Sequence, residues 1–152
     1  MARTFTAVGT QTVTSPTDTA LTLESLTTIR PELYWCGFGC LSDAIDFMIR
    51  WQVQRFDTDD GAGTTVTPHV RNDGDPASGV KAISEHTVEP SSYLAGEFVI
   101  DLPVNTRAPQ QWHAHDQKDR IVMSAVATEG LGFQPVHGSS TANVSVQAAY
   151  EE

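Results

Sequence analysis

Basic side chains are scarce in this chain of 152 residues. Two Lys and seven Arg, scattered singly, stand against nineteen Asp and Glu, for a net charge of −10. Affinity for naked DNA or RNA comes mainly from neutralising phosphates, so no nucleic-acid partner is expected. Long apolar runs are missing too: none approaches the roughly 18 residues of a spanning helix. The start, Met1-Ala-Arg-Thr-Phe-Thr, does not read as a signal peptide, and no membrane association is expected. Cysteine occurs twice, at Cys36 and Cys40, and a structural zinc would need a second pair of ligands. Lys, Leu and Glu, on which helices usually draw, are sparse.

Thr and Val are plentiful instead, with eighteen and fourteen copies. Both are β-branched and stiff at χ1, and both favour a pleated, half-buried surface over a helix. The composition therefore points to an all-β protein. The length suits one domain, residues 1–152, large enough to fold without staples.

Residues 45–56 carry the clearest strand signal. Ile45, Phe47, Ile49, Trp51 and Val53 alternate with Asp46, Met48, Arg50, Gln52 and Gln54, a period of two that a helix would scatter around its circumference. In residues 94–104, Phe98, Ile100 and Leu102 face one way and Val99 and Asp101 the other. Val144, Val146 and Ala148 repeat the pattern near the C-terminus. Shorter strands are expected over 4–10, 19–23, 29–36, 66–70, 80–87, 111–115, 120–125 and 132–136. Turn chemistry separates them, as in Ser15-Pro-Thr-Asp18, Asn72-Asp-Gly-Asp-Pro76 and Gly138-Ser-Ser-Thr141. Short strands at such spacings predict a sandwich, jelly roll or barrel. Helical turns are expected only at 41–44 and 23–26. Residues 1–18 read either as an edge strand or as an arm that pairs with a neighbouring subunit by strand addition.

Few constellations carry chemistry. Cys36-Gly-Phe-Gly-Cys40 reads as two small apolar residues at a strand end; a disulfide there would require the segment to turn. Reduced thiols suit synthesis in a cytosol. Asp57-Thr-Asp-Asp-Gly places its Gly fifth and Pro68 twelfth, which is no EF-hand and reads as a solvated hairpin loop. His137-Gly-Ser-Ser140 lacks the nucleophile elbow, and no phosphate loop is present.

His113-Ala-His115 is the sharpest local motif, because residues two apart on a strand share a face and can reach one metal. Cupins, a jelly-roll family of metal enzymes, follow such a pair with Glu; Asp119 stands in that place here. Arg107 and Val126 occupy the positions of the expected glycines, and Pro135, His137 and Asn143 match the second cupin segment only loosely. A cupin-like metal enzyme built on His113, His115 and Asp119 is one alternative. Another is a carbohydrate-binding or host-attachment module, with Trp35 and Trp112 as a sugar platform and Trp51 assigned to the core.

The order of segments says more than any motif. A Met-Ala-Arg-Thr-Phe-Thr start leads through a Thr-rich edge to Pro31-Glu-Leu-Tyr-Trp-Cys. A long strand then ends in Ile49-Arg-Trp-Gln-Val-Gln-Arg55, followed by Asp60-Gly-Ala-Gly-Thr-Thr-Val-Thr-Pro68 and Asp73-Gly-Asp-Pro-Ala-Ser-Gly79. Glu85-His-Thr-Val-Glu-Pro90 comes next, and the end reads Val144-Ser-Val-Gln-Ala-Ala-Tyr-Glu-Glu152. Over nearly its full length the chain resembles a family of small structural proteins of tailed bacteriophages, found among capsid decoration or cement proteins. The Cys36-Gly-Phe-Gly-Cys40 segment departs from that pattern, which is polar there.

The resemblance implies a jelly-roll-like antiparallel β-sandwich of about 8–10 strands. It implies a non-enzymatic protein, made in the host cytoplasm and carried on the virion, that binds the outer surface of the assembled capsid as a homotrimer. Its partners would be the major capsid protein and itself, with no cofactor and no catalytic residue. Contacts to capsid or subunit are expected from Ala2, Arg3, Thr4, Phe5, Thr6, Ala7 and Val8.

Overall fold

The structure, a computed structural model, describes residues 2–41, 46–58, 60–137 and 141–152. Its strands are β1 (Thr4–Val13), β2 (Leu21–Glu24), β3 (Glu32–Cys40), β4 (Met48–Phe56), β5 (Ala62–Val66), β6 (His69–Val70), β7 (Lys81–Val88), β8 (Tyr93–Asn105), β9 (Gln110–His113), β10 (Ile121–Val122), β11 (Gly130–Val136) and β12 (Ala142–Glu151). They form two six-stranded antiparallel sheets. Sheet A runs β10-β3-β12-β1-β6, with β9 also paired to β3; sheet B runs β5-β7-β2-β11-β4-β8. The fold is an all-β sandwich. Its regular helical structure, among the described residues, is one 3-10 turn at Gln117–Asp119.

Alternation builds the shared core. Phe5, Ala7 and Val13 on β1, Leu33, Cys36 and Phe38 on β3, and Val144, Val146 and Ala148 on β12 point inward from sheet A. Leu21, Leu23, Ile49, Trp51, Val53, Leu131 and Phe133 meet them from sheet B. Phe38 and Trp51 join the layers, their ring centroids 5.0 Å apart. Within sheet A, Phe5 stacks on its cross-strand partner Tyr150 at 5.7 Å.

Several sequence expectations are corrected. Among the described residues twelve strands form where about 8–10 were expected, partly because residues 66–70 are divided: Pro68, which has no N–H to donate, separates β5 in sheet B from β6 in sheet A. Residues 23–26 are not a helical turn, since Leu23 pairs with both Leu131 and Ala82 in the middle of sheet B. The long strand begins at Met48; Asp46 and Phe47 precede it, and Ile45 lies outside the described residues. The helical turn expected at 41–44 falls there too, apart from Leu41, which is irregular.

The alternation on β4 has a twist. Gln52 and Gln54, on its outward side, are buried as well. Tyr93 lies over Gly132, where a Cβ would come within 2.1 Å of the phenol oxygen, and its hydroxyl meets Thr19 Oγ1 at 2.9 Å. Gln54 donates to Leu94 O at 2.5 Å. The start of β8 therefore folds over the outer face of sheet B, helped by irregular pairing in which Gln54 opposes Phe98 while Phe56 opposes Tyr93. Gly96, at φ +80°, supplies the left-handed residue that this bulged stretch needs.

Of the expected arm or edge strand, Thr4–Val13 is held inside sheet A. β1 pairs with β12 from Thr4 to Val13 and with β6 at Phe5 and Thr6. Arg3 and Glu152 exchange backbone hydrogen bonds of 3.0 and 2.9 Å, which closes the ladder. Beyond β6, Ser84 Oγ takes the place of a neighbouring strand, accepting from Thr10 N at 2.8 Å and donating to Thr10 O at 3.1 Å.

Candidate functional site

The outer face of sheet A holds a cleft of about 510 Å³. A β-bulge creates its floor. Ala149 on β12 opposes Trp35, but the next residue, Tyr150, opposes Leu33, so Tyr34 is the extra residue on β3. Strict alternation would send Tyr34 and Trp35 to opposite faces. With the bulge both lie half-buried on the outside, between the core residues Leu33 and Cys36. Ala114 N donates to Tyr34 O at 2.9 Å, which pins the bulge to the segment after β9.

Cations from separate parts of the chain converge on Tyr34. Arg71, just after β6, donates from its backbone to Thr4 O at 3.0 Å and from its guanidinium to the Tyr34 hydroxyl at 2.9 Å. The Arg120 guanidinium sits 5.7 Å from the centre of the Tyr34 ring and donates to Glu32 at 3.1 Å and Glu151 at 3.0 Å. Burial weighs against its charge, yet those two carboxylates hold its pKa above the ordinary arginine value. Arg120 is thus neutralised within the protein. Arg71 forms no ion pair with a carboxylate among the described residues, and its charge remains available to the cleft. His113, His115 and Asp116 complete that end.

Trp35 forms a ridge. Its indole reaches over Gly37, where a Cβ would stand 2.7 Å from the ring, so glycine is what makes room for the ring there. On its far side is a second depression of about 240 Å³, whose polar lining comes from Gln110, Gln111, Ser145 and Gln147. Trp35 and Gln147 border both spaces.

No family model, curated protein or solved structure matches the chain.

The candidate residues from the sequence divide on this frame. His113 ends β9 and His115 lies in the bend beyond it, yet both line the cleft. Asp119 does not line it; it is exposed in the 3-10 turn. Among the described residues no group of three or more His, Cys, Asp or Glu is placed to hold a metal ion, so the cupin arrangement of His113, His115 and Asp119 is not formed. His137 borders a different depression, with Met48, Arg50 and Pro103. Trp51 is fully buried and Trp112 packs partly buried against the core, which leaves Trp35 as the tryptophan that lines both surface spaces. Cys36 and Cys40 are not joined in a disulfide, since four residues of extended β3 separate them by about 13 Å.

The seven expected contact residues split by strand parity. Phe5 and Ala7 are core residues with no exposed surface. Arg3 is tied to Glu152 at 3.4 Å. Ala2 and Val8 are exposed, Thr4 and Thr6 half-buried, with Thr6 opening onto the cleft and Val8 onto the second depression. A contact surface on β1 is therefore the outward row Thr4, Thr6 and Val8.

Sequence reasoning missed Arg71 and Arg120. Each lies in a turn-rich stretch, and only tertiary placement brings them together. The one signal on hand was that both stand close to short strand predictions.

Proposed function

We propose that this chain is a non-enzymatic structural subunit of a tailed-phage particle, binding the outer surface of the assembled capsid as a homotrimer and stabilising it. What supports the reading is the order of segments from Met1-Ala-Arg-Thr-Phe-Thr to Tyr150-Glu-Glu152, which resembles that of decoration proteins over nearly the whole chain.

The geometry is compatible with attachment through a sheet edge. β8 is the outer strand of sheet B, thirteen residues long, and among the described residues nothing pairs with its far side. At about 3.3 Å per residue, such an edge is about 40 Å long. It is guarded against indiscriminate pairing by Glu97, Asp101, Pro103 and the bulge around Gly96. Phe98 and Met48, 42% and 54% exposed, stand on the β8 and β4 side of that sheet as apolar contact points. A cement protein works by burying such surface across seams, and binding only the assembled shell stabilises it by mass action. The net charge of −10 favours a basic patch on the shell over the packaged genome.

Cryo-electron imaging of virions purified from infections in which the chain is produced tests the proposal. Regular surface protrusions at three-fold or quasi-three-fold positions are the expected result. Particles lacking the chain, or carrying it only in the tail, would overturn it.

A further inference from the structure

We propose that the outer face of sheet A is a binding site for a short acidic oligosaccharide, seated across Trp35. The inference rests on the cleft and not on the capsid assignment, so either can fail without the other.

Three features of one surface match three parts of such a ligand. The indole of Trp35, half-buried with its six-membered ring reaching over Gly37, offers apolar surface of the kind that the C–H face of a pyranose ring covers. On one side of it, the amides of Gln110, Gln111 and Gln147 and the hydroxyl of Ser145 both donate and accept, as a row of sugar hydroxyls requires. On the other side, Arg71 presents a guanidinium whose internal partner is a phenol rather than a carboxylate, with His113 and His115 nearby. A planar guanidinium takes a carboxylate or sulfate oxygen pair in two parallel hydrogen bonds. A neutral sugar would leave Arg71 idle, and a simple anion would leave Trp35 and the glutamines idle.

The size and the global field narrow the class further. A space of about 510 Å³ lies in the range of small-molecule sites, roughly 300–1,000 Å³. With the adjoining 240 Å³ it suits a ligand of two or three rings that crosses the ridge. Long polyanions are disfavoured, because a chain of net charge −10 repels them at distance and the cleft offers too few cations to release many counterions. A sparsely charged glycan avoids that penalty. The rigid setting helps as well: the bulge at Tyr34 is held by Ala114, Arg71 and Arg120, so little ordering remains to be done on binding.

The test is a glycan array probed with the full-length protein, carrying sialylated, uronate-containing and sulfated oligosaccharides beside their uncharged parents, with single-stranded DNA as a polyanion control. The best glycan is then titrated by calorimetry. At least one acidic glycan should bind roughly tenfold or more tighter than its neutral parent, as loss of one charge-assisted contact implies. The sialylated, uronate and sulfated arms tell carboxylate from sulfate recognition. Arg71→Gln should erase the preference for the acid while the melting temperature stays within a few degrees, and Trp35→Ala should abolish binding of acidic and neutral forms alike. Gln111→Ala, at an exposed position, should weaken both by a similar factor and carries the test if Trp35→Ala fails to fold. No acidic glycan preferred over its parent at millimolar concentration, DNA bound as tightly as glycan, or affinity unchanged in Arg71→Gln and Gln111→Ala would each overturn the proposal.

Discussion

Glu89 follows β7 and is half-buried, with one carboxyl oxygen that has no hydrogen-bond partner. Burial, and then the nearby charge of Asp18, push its pKa up from 4.5 to about 7 against hydrogen bonds from Thr19. The folded state therefore holds this proton more tightly than the unfolded chain. Its stabilising effect is complete below pH 4.5 and is lost as the pH rises to about 7, where a poorly solvated carboxylate is left. The gap between those values sets a ceiling of about 3 kcal/mol, and solvent screening of a half-buried group brings the expected figure to about 1–2 kcal/mol. Glu89→Gln keeps an acceptor for Thr19 and removes the charge. Urea unfolding of both proteins at pH 5 and pH 8 measures the difference. The variant should gain about 1–2 kcal/mol over its parent at pH 8 and differ by only a few tenths at pH 5. His86, buried between Thr19 O and Asp60 O, works in the opposite direction: burial lowers its pKa, so its contribution is present above about 6.5 and is lost as the pH falls below that. The parent-to-variant comparison cancels this term. A variant less stable than its parent at pH 8, or a gap that does not change between pH 5 and pH 8, would refute the reasoning.

Further perturbations probe the frame around the two sheets. Lys81 bridges Glu24 at 3.0 Å and Asp60 at 2.7 Å, so Lys81→Met should leave two adjacent carboxylates unneutralised. Because Lys81 is half exposed, the expected loss is about 1 kcal/mol at pH 7, shrinking towards pH 4 in thermal or urea unfolding. Gly132→Ala places a methyl 2.1 Å from the Tyr93 hydroxyl and 2.6 Å from its ring, and should lower stability by about 1–3 kcal/mol by displacing that ring; its signature is a change in tyrosine fluorescence or near-ultraviolet dichroism. The Glu152 side chain has no exposed surface and accepts from Ser78 Oγ, Gly79 N and Val80 N, so Glu152→Ala should cost about 2–3 kcal/mol and raise hydrogen exchange at residues 78–80.

How much of this was legible beforehand follows from what holds each element. β4 and β12 were readable because each turns an alternating apolar row into the core, and β8 because the same alternation runs from Ile100 to Val104, although residues 95–98 before it are exposed on both faces. β6 and β10, two residues each, have no pattern of their own; they are strands because Thr6 and Leu33 stand opposite them. The helical turn expected at 23–26 failed because its local propensity was outweighed by pairing on both sides of β2. The burial of Gln54 depends on Tyr93 and Leu94 folding across the sheet, which no local window contains. In the cleft, Trp35 and the His113-Ala-His115 motif stood out in the sequence, but as unrelated features. The bulge that turns Tyr34 and Trp35 to one face is set by the register of β3 against β12, residues more than 100 positions apart. Arg71 and Arg120 join them through tertiary placement alone.

The proposal that this chain is a capsid-surface subunit is tested most directly by add-back. Purified protein is mixed with mature shells that lack it, and the sediment is analysed for copy number and for the temperature at which shells disrupt. Saturable binding at a fixed number of copies per capsomer, with a disruption temperature that rises as free protein rises, is the predicted result. Protein that stays in the supernatant at saturating concentration, or that binds without moving the disruption temperature, would contradict the account.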